Sequence, residues 1–439
     1  MAFIMLGTGA FLTLRFRFFQ FTHLGKALKS PFSSKQDRGC SAFGALATAL
    51  GASIGTANIA GTAGAIAIGG PGAVFWMWAA GVLGMATKLC ETVLAMLYRD
   101  RSSSPPSGGA MRYMELGLRR IGRALGMCFS IFGSLAALVG TAMVQSNTLA
   151  DAGCSLAQSF GFSGWDLPLK AGIGIAAALL TGAVITGGYG RIGAFSERAV
   201  PFMAALYILA GGIAVYYNRE RLPEAFSGII RGAFGLRPVM GGAAGAGLAK
   251  ALRVGVARGV YSNEAGVGSS TMAHACSPET DPVKQGLLGV FEVFVDTVVM
   301  CGVTALVILT SPSPKGSGMG LALSAFASVY GAKAASVFLC VSVLLFAFTS
   351  LVGWSFYGRR CAEHLSDRLG RAFVPAFLLL IPLGACAQVG LCWKLGELFN
   401  YLIALPNLIA VILLSGKAAR EICLYKMFEK YPHMRYNKS

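Results

Sequence analysis

The chain has 439 residues, of which 55% are hydrophobic and 13% are charged. A soluble domain carries about 25% charged residues, so this chain has too few charges to cover a soluble surface and is predicted to be an integral membrane protein. The formal net charge of +18 would suggest nucleic-acid binding in a soluble protein. Because cytoplasmic loops of membrane proteins are rich in Lys and Arg, a lipid bilayer is the expected partner here and nucleic acid is not.

Apolar segments follow one another along the whole chain, and no soluble domain lies between them. Since a membrane span needs about 20 mostly apolar residues, eleven helices are predicted in an all-α fold. Their approximate positions are residues 1–14, 41–68, 71–98, 124–150, 168–187, 194–217, 240–262, 285–310, 333–358, 372–391 and 395–416. The first segment is short for a full span and is interpreted as a peripheral helix.

Basic residues give the expected orientation of these helices. Lys and Arg cluster at residues 15–38, 99–123, 359–371 and 417–438. With eleven crossings all four clusters lie on one side, which the positive-inside rule makes cytoplasmic. The protein is therefore expected in the plasma (inner) membrane, with its N-terminus outside and its C-terminus in the cytoplasm. The connection 218–239 is basic but external, and its amphipathic pattern predicts a helix lying on the membrane surface.

The second predicted helix is unusual for a membrane span. Its end and the start of the next read "GTANIAGTAGAIAIGGPGAVFWMW" from Gly55, with six glycines and a proline. Glycines in a span either allow close helix packing or mark an unwound segment, whose free backbone groups bind ions and substrate. The polar side chains of Thr56 and Asn58 within the cluster favour an unwound segment.

A second interrupted segment, "ARGVYSNEAGVGSSTMAHA" at 257–275, lies five helices later. Two glycine-interrupted segments at matching places in two halves indicate a transporter built from inverted repeats. The halves share no clear sequence identity, so the repeat is predicted from organisation alone. The expected divisions are a peripheral helix with a cytoplasmic basic loop (1–40), a first five-helix repeat (41–217), an external connection (218–239), a second repeat (240–416) and a basic cytoplasmic tail (417–439).

At these residues the chain resembles the alanine/glycine:cation symporter family, also called the sodium:alanine symporters. The stretches "GGPGAVFWMW", "SNEAGVGSS" and "LLFAFTSLVGWSFYG" carry the resemblance, which spans nearly the whole chain. It implies a leucine-transporter-like fold of ten core helices in two inverted repeats plus one N-terminal helix. It also implies uptake of alanine, glycine or a similar small neutral amino acid coupled to Na⁺, with no other cofactor. Ala57 stands where the family usually has glycine, and its methyl group restricts the backbone there.

The two interruptions supply the predicted substrate site. Amide groups at the first break suit a carboxylate, and carbonyl groups at the second suit an ammonium group. Alternative roles are capping of the broken helix for Asn58, contact between helices for Gln145 and core packing for Trp354. The residues predicted to bind substrate are Gly55, Thr56, Ala57, Asn58, Gln145, Tyr261, Ser262, Asn263 and Trp354.

Sodium prefers oxygen ligands, as other hard cations do. In the fold that the resemblance implies, the eighth core helix meets the first, and Thr349 and Ser350 would place hydroxyl groups there. The oxygen of Asn58 is a further candidate ligand. The alternative for the two hydroxyl groups is a hydrogen bond back to their own helix, which Ser and Thr often make.

Acidic side chains at membrane depth are functional candidates by default. Glu264 is predicted either to neutralise a cation or relay a proton, or to pair with Arg258 as a structural lock. Asp296 and Glu292 lie one turn apart on the same face and are interpreted as structural.

Lys88 and Glu91, at i and i+3 on one helix, are expected to satisfy each other. His274 has no paired ligand nearby in the sequence, so a metal role is not expected.

Other classes of function remain open on this sequence. One is a proton-coupled or uncoupled amino-acid transporter on the same fold, for which Glu264 would be essential. Another is a sensor or channel that binds an amino acid without moving it against a gradient. An enzyme is not expected, because no nucleophile–base arrangement, metal motif or phosphate loop is present.

Overall fold

The structure is a computed structural model that describes residues 1–33, 36–37, 40–103, 105–162, 164–235 and 243–431. Most of this described chain is helical, and the rest consists of loops and an antiparallel pair of two-residue strands, Gln36–Asp37 and Cys40–Ser41. Parts of the predicted divisions lie outside the described residues, namely 34–35, 38–39, 104, 163, 236–242 and 432–439.

The α-helices in the first half of the described chain are α1 (Ala2–Arg15), α2 (Phe19–Thr22), α3 (Leu24–Lys29), α4 (Ala42–Ser53), α5 (Ala60–Gly69), α6 (Gly72–Leu97), α7 (Ala110–Gly117), α8 (Arg119–Leu135), α9 (Ala142–Ser159), α10 (Asp166–Ile185), α11 (Gly188–Tyr217) and α12 (Leu222–Ala233). Those in the second half are α13 (Ala243–Asn263), α14 (Thr271–Ala275), α15 (Pro282–Val293), α16 (Gly302–Thr310), α17 (Met319–Tyr330), α18 (Ala332–Leu365), α19 (Asp367–Cys386) and α20 (Val389–Lys430). Two π-helical segments, Ala136–Thr141 and Phe294–Cys301, join α8 to α9 and α15 to α16.

Eight of the described helices are long and apolar enough to cross a membrane, and the bent pair α4–α5 would make nine. The described part of each predicted segment overlaps a helix or, for 41–68, the bent pair α4–α5, but two of the segments fall short as spans. The 14 residues of α1 reach about 21 Å at 1.5 Å per residue, less than the roughly 30 Å of a hydrocarbon core. The helix α13 carries Lys250, Arg253 and Arg258, which lower its hydropathy. A multi-pass membrane fold is therefore present, and the count of eleven stays a prediction.

The spanning helices differ in how much of their apolar surface is covered by protein. The most apolar stretch of α6 is 78% buried, whereas those of α10 and α11 are 28% buried. The helix α6 packs against α13 and α15 at the centre of the bundle, where glycine allows the close approach. A Cβ added at Gly255 on α13 would lie 2.3 Å from the carbonyl oxygen of Ala73 on α6, and one added at Gly286 on α15 would lie 2.7 Å from Leu89 Cδ1. The broken segments are thus central, and α10 and α11 form the periphery.

The predicted basic clusters meet at one end of the bundle. Three contacts join them: His23 Nε2 with Glu429 Oε2 at 3.1 Å, Lys417 Nζ with the hydroxyl group of Tyr98, and His364 Nε2 with Glu115 Oε1 at 3.2 Å. A shared end is what the positive-inside argument requires of these four segments. Which side of the membrane this end faces stays a prediction, as do the division boundaries.

Candidate functional site

The first break lies where the glycine cluster predicts it. The helix α4 ends at Ser53, Gly55 is extended, a single 3₁₀ turn covers Thr56–Asn58, and α5 follows at a bend of 58°. The side chain of Asn58 holds this turn, because its Oδ1 accepts a hydrogen bond of 2.9 Å from the Gly55 N–H. This is the capping role that the sequence left as the alternative for Asn58.

Gln145 reaches the same break from α9. Its Oε1 accepts a hydrogen bond of 3.2 Å from the Thr56 N–H. A Cβ added at Gly55 would lie 2.8 Å from Gln145 Nε2 and 2.7 Å from Ser350 Oγ, so a larger residue there would have to displace one of these two side chains. The Thr56 N–H, one of the backbone amide groups predicted to bind the substrate carboxylate, is therefore already hydrogen-bonded to Gln145.

The second break follows α13. Glu264 has a φ of +54°, which is uncommon for a residue other than glycine, and Gly266 and Gly268 also have positive φ. Asn263 supports this turn, since its Oδ1 accepts a hydrogen bond of 2.9 Å from the Ala265 N–H. The chain becomes helical again at α14. Both predicted interruptions are therefore present.

Glu264 is held by neutral donors and does not pair with Arg258. Trp354 Nε1 donates to its Oε1 at 2.7 Å, and Ser269 donates to its Oε2. Arg258 instead forms an ion pair of 2.9 Å with Glu397. The suggested lock between Glu264 and Arg258 is wrong, because the turn at Glu264 directs its carboxylate toward α18.

A buried cavity of about 30 Å³ lies between the two breaks. Of the predicted residues, Ala57, Gln145, Tyr261, Glu264 and Trp354 line it. The other lining residues are Ala52, Ser53, Ala136, Gly140, Thr141, Gly396 and Asn400. Gly55 and Thr56 lie behind Gln145, while Asn58, Ser262 and Asn263 do not line the cavity.

Sequence reasoning missed Asn400 as a lining residue. Its side-chain oxygen is buried and has no hydrogen-bond partner among the residues that the structure describes. An amide within the mostly apolar segment 395–416 was the available indication of this role.

Asp296 lies on the other side of the first break. Asn58 Nδ2 donates to its Oδ1 at 2.8 Å, and Ser262 Oγ and Thr297 Oγ1 donate to its Oδ2 at 2.7 and 3.0 Å. Among the described residues no Lys, Arg or His forms an ion pair with it, although the side chain is fully buried. The sequence grouped Asp296 with Glu292, but the structure places Asp296 where both broken segments meet.

Both π-helical segments lie at this site. One contains Gly140 and Thr141, which line the cavity, and the other contains Asp296. A π-helical turn displaces the side chains that follow it, and such turns often occur at functional sites.

The two predicted sodium hydroxyl groups differ in their contacts. Thr349 Oγ1 donates back to its own helix, at 3.0 Å from Leu345 O and 3.1 Å from Phe346 O. Ser350 Oγ lies 3.4 Å from the carbonyl oxygens of both Gly51 and Ile54, at the end of α4. The expected meeting of this helix with the first broken helix is confirmed, and Ser350 is the hydroxyl group that joins them.

A buried ion pair supports the second break. Lys88 Nζ lies 3.1 Å from Glu292 Oε1 and 2.9 Å from Ser270 Oγ. His274 Nε2 lies 2.9 Å from Glu292 Oε2. The expected pairing of Lys88 with Glu91 is therefore wrong, since Glu91 instead accepts a hydrogen bond from α20.

The described part of the chain contains no group of three or more His, Cys, Asp and Glu side chains placed to hold a metal ion. The oxygen-rich positions at Asp296 and Ser350 have the chemistry that a hard monovalent cation prefers. Two interrupted helices that meet at a central cavity are the organisation of a secondary transporter.

Comparison with known proteins agrees with that class. Residues 1–437 match the model of the sodium:alanine symporter family, and the chain belongs to this family. The protein is thus a multi-pass membrane protein and a sodium-coupled amino-acid symporter, not an enzyme.

Three relatives show how far the similarity extends. The sodium/alanine symporter AgcS of Methanococcus maripaludis is 39% identical over 439 residues, covering 97% of this chain and 94% of AgcS. The amino-acid carrier protein AlsT of Bacillus subtilis is 34% identical over 437 residues, covering 99% of this chain and 89% of AlsT. A second protein of Bacillus subtilis, named a probable sodium/glutamine symporter, GlnT, is 36% identical over 420 residues. The match covers 94% of this chain and 84% of GlnT.

Proposed function

We propose that the protein imports a small neutral amino acid, alanine or glycine, together with Na⁺ by alternating access. The proposed framework is a leucine-transporter-like pair of inverted repeats, at 41–217 and 240–416. The observation that carries the proposal is Asp296, a fully buried carboxylate that contacts both broken segments and has no positive partner among the described residues.

A cation at Asp296 would supply the missing charge. A buried charge without a partner is costly, and the neighbouring side chains of Asn58, Ser262 and Thr297 all carry oxygen atoms. Sodium there would share the carboxylate with the Asn58 amide group, which donates to Asp296 Oδ1. Cation binding is thereby linked to the geometry of the first break, which also forms one wall of the cavity.

Besides Asp296, we propose that the hydroxyl group of Ser350 binds sodium, together with the carbonyl oxygens of Gly51 and Ile54. Ser350→Ala should raise the sodium concentration for half-maximal uptake about 2–10-fold, because a single polar contact contributes about as much free energy as one hydrogen bond. Sodium titration of alanine uptake measures this value. Thr349→Ser keeps a hydroxyl group beside it and serves as the control. An unchanged titration in Ser350→Ala would remove Ser350 from the sodium site.

The cavity supports a small zwitterionic substrate. The Glu264 carboxylate faces it and would accept the ammonium group. The substrate carboxylate would replace Gln145 Oε1 at the Thr56 N–H. The Ala57 methyl group narrows the cavity wall and favours the side chain of alanine or glycine over that of glutamine.

A layer of side chains separates the cavity from a vestibule of about 420 Å³ that is lined in part by Ala60 and Trp393. The rings of Tyr261 and Trp393 lie 5.6 Å apart, and the Arg258 guanidinium lies 4.6 Å from the centre of the Trp393 ring. Arg258 also bridges α13 to α20 through Glu397. We assign this layer as the gate that opens and closes in alternating access.

The test is uptake of labelled alanine into proteoliposomes with an inward sodium gradient, an inward proton gradient or neither. Accumulation that requires sodium, and that excess glycine inhibits more than excess glutamine, is the expected result. Accumulation with protons alone would instead support proton coupling, the alternative favoured by the position of Glu264 in the cavity wall. Binding of alanine without accumulation under any gradient would overturn transport.

A further inference from the structure

A groove of about 480 Å³ lies on the surface formed by α10 and α11. Val184, Phe195 and Phe202 give it apolar walls, and Arg191 and Arg198 are its charged residues. None of these residues lines the central cavity or the vestibule, so the groove is separate from the proposed transport path.

The groove opens toward lipid. The apolar stretches of both helices are among the least buried of the spans, and the exposed fractions of Phe202 and Leu179 are 62% and 70%. Large apolar side chains with this exposure, on helices of spanning length, face hydrocarbon.

The charged and apolar residues form one stripe on α11. Arg191, Phe195, Arg198 and Phe202 follow at intervals of four, three and four residues, which places them on the same helix face. The two arginines are about 10.5 Å apart along the axis, at 1.5 Å per residue. One side of the groove thus carries two positive charges beside a continuous apolar surface.

Neither arginine forms an ion pair with a carboxylate in the described part of the chain. Arg191 Nη1 donates to Ala183 O at 3.0 Å, which holds this side chain against the end of α10. Glu197, next to Arg198 in the sequence, accepts instead from Ser41. Both arginines are exposed, and the Ser41 contact places them level with the start of α4.

We propose that this groove binds an anionic phospholipid. The phosphate group would lie between Arg191 and Arg198, and one acyl chain would follow Phe195, Phe202 and Val184. Charged side chains at a lipid-facing surface are costly without a counter-charge. Guanidinium groups bind phosphate oxygens in a bidentate manner, and basic pockets between spanning helices bind anionic headgroups.

Native mass spectrometry of the full-length protein tests the proposal. The protein is mixed with equal amounts of phosphatidylglycerol and phosphatidylcholine that carry the same acyl chains. We expect the wild-type protein to retain phosphatidylglycerol about 30-fold more than phosphatidylcholine, the effect of two arginines near a headgroup. The double variant Arg191→Gln/Arg198→Gln should lose this preference. The control variant Arg371→Gln, which changes an exposed arginine on α19, should keep it.

A second measurement uses the unsubstituted protein, in case the double variant does not fold. Phosphatidylglycerol with a photoactivatable acyl chain should form adducts with peptides that contain residues 184–202. Adducts confined to other helices would overturn the proposal. Equal retention of the two lipids by the wild-type protein, or an unchanged preference in the double variant, would also overturn it.

Discussion

Asp296→Asn is expected to abolish sodium-driven alanine accumulation while the protein remains folded. Asparagine keeps the size of the side chain and one acceptor oxygen, but it removes the charge that would bind sodium. Loss of one partner of a buried charge pair costs about 2–5 kcal/mol, which corresponds to roughly a 30-fold to several-thousand-fold loss of sodium affinity. Proteoliposome uptake at increasing sodium concentrations measures the effect.

Sodium-dependent thermal stabilisation separates a binding defect from a transport defect in this variant. The wild-type protein should melt at a higher temperature in sodium than in choline, and Asp296→Asn should lose most of that difference. Asp367→Asn, an exposed acid at the start of α19, should behave as the wild type does. Wild-type sodium dependence in Asp296→Asn would show that sodium does not bind there.

Lys88→Met is expected to lower the stability of the protein strongly. Lys88 and Glu292 are both fully buried, so the substitution leaves the Glu292 carboxylate without its lysine. Breaking a buried ion pair at one partner typically costs about 3–5 kcal/mol. The melting temperature in detergent should therefore fall clearly below that of the wild type.

A second substitution shows whether the buried charge is the cause. Lys88→Met combined with Glu292→Gln should recover part of the lost melting temperature, because the uncompensated charge is gone. Lys284→Met, at an exposed position on α15, should have little effect. If Lys88→Met alone melts at the wild-type temperature, the ion pair does not support the second break.

The sequence predicted the membrane class and the two interruptions because these depend on local composition. Glycine clusters and apolar lengths are properties of short segments, and the breaks occur at Gly55 and after Asn263 as expected. The rule that oppositely charged side chains at i and i+3 pair with each other failed for Lys88. Spacing of i and i+3 shows that Lys88 and Glu91 share a helix face, but not which helix packs on that face. Its partner, Glu292, is 204 residues away in the chain.

Asp296 shows the same limit at the site itself. Its contact with Asn58 joins residues 238 positions apart, and it exists only because the π-helical segment Phe294–Cys301 packs against the first break. The π-helical turn that contains Asp296 left no pattern that distinguishes it from an ordinary apolar helix. Sequence reasoning therefore identified Asn58 and Ser262 as site residues but not the carboxylate that binds them both.

The isolation of Asp296 has an electrical consequence. If sodium neutralises this carboxylate, the loaded carrier has no net charge at that point, whereas the empty carrier returns with a negative charge inside the membrane. A unit charge that crosses the whole field changes in energy by about 2.3 kcal/mol per 100 mV. An inside-negative voltage would then favour the return of the empty carrier to its outward-facing state. Membrane voltage would thus act on the step of the cycle in which no substrate is bound.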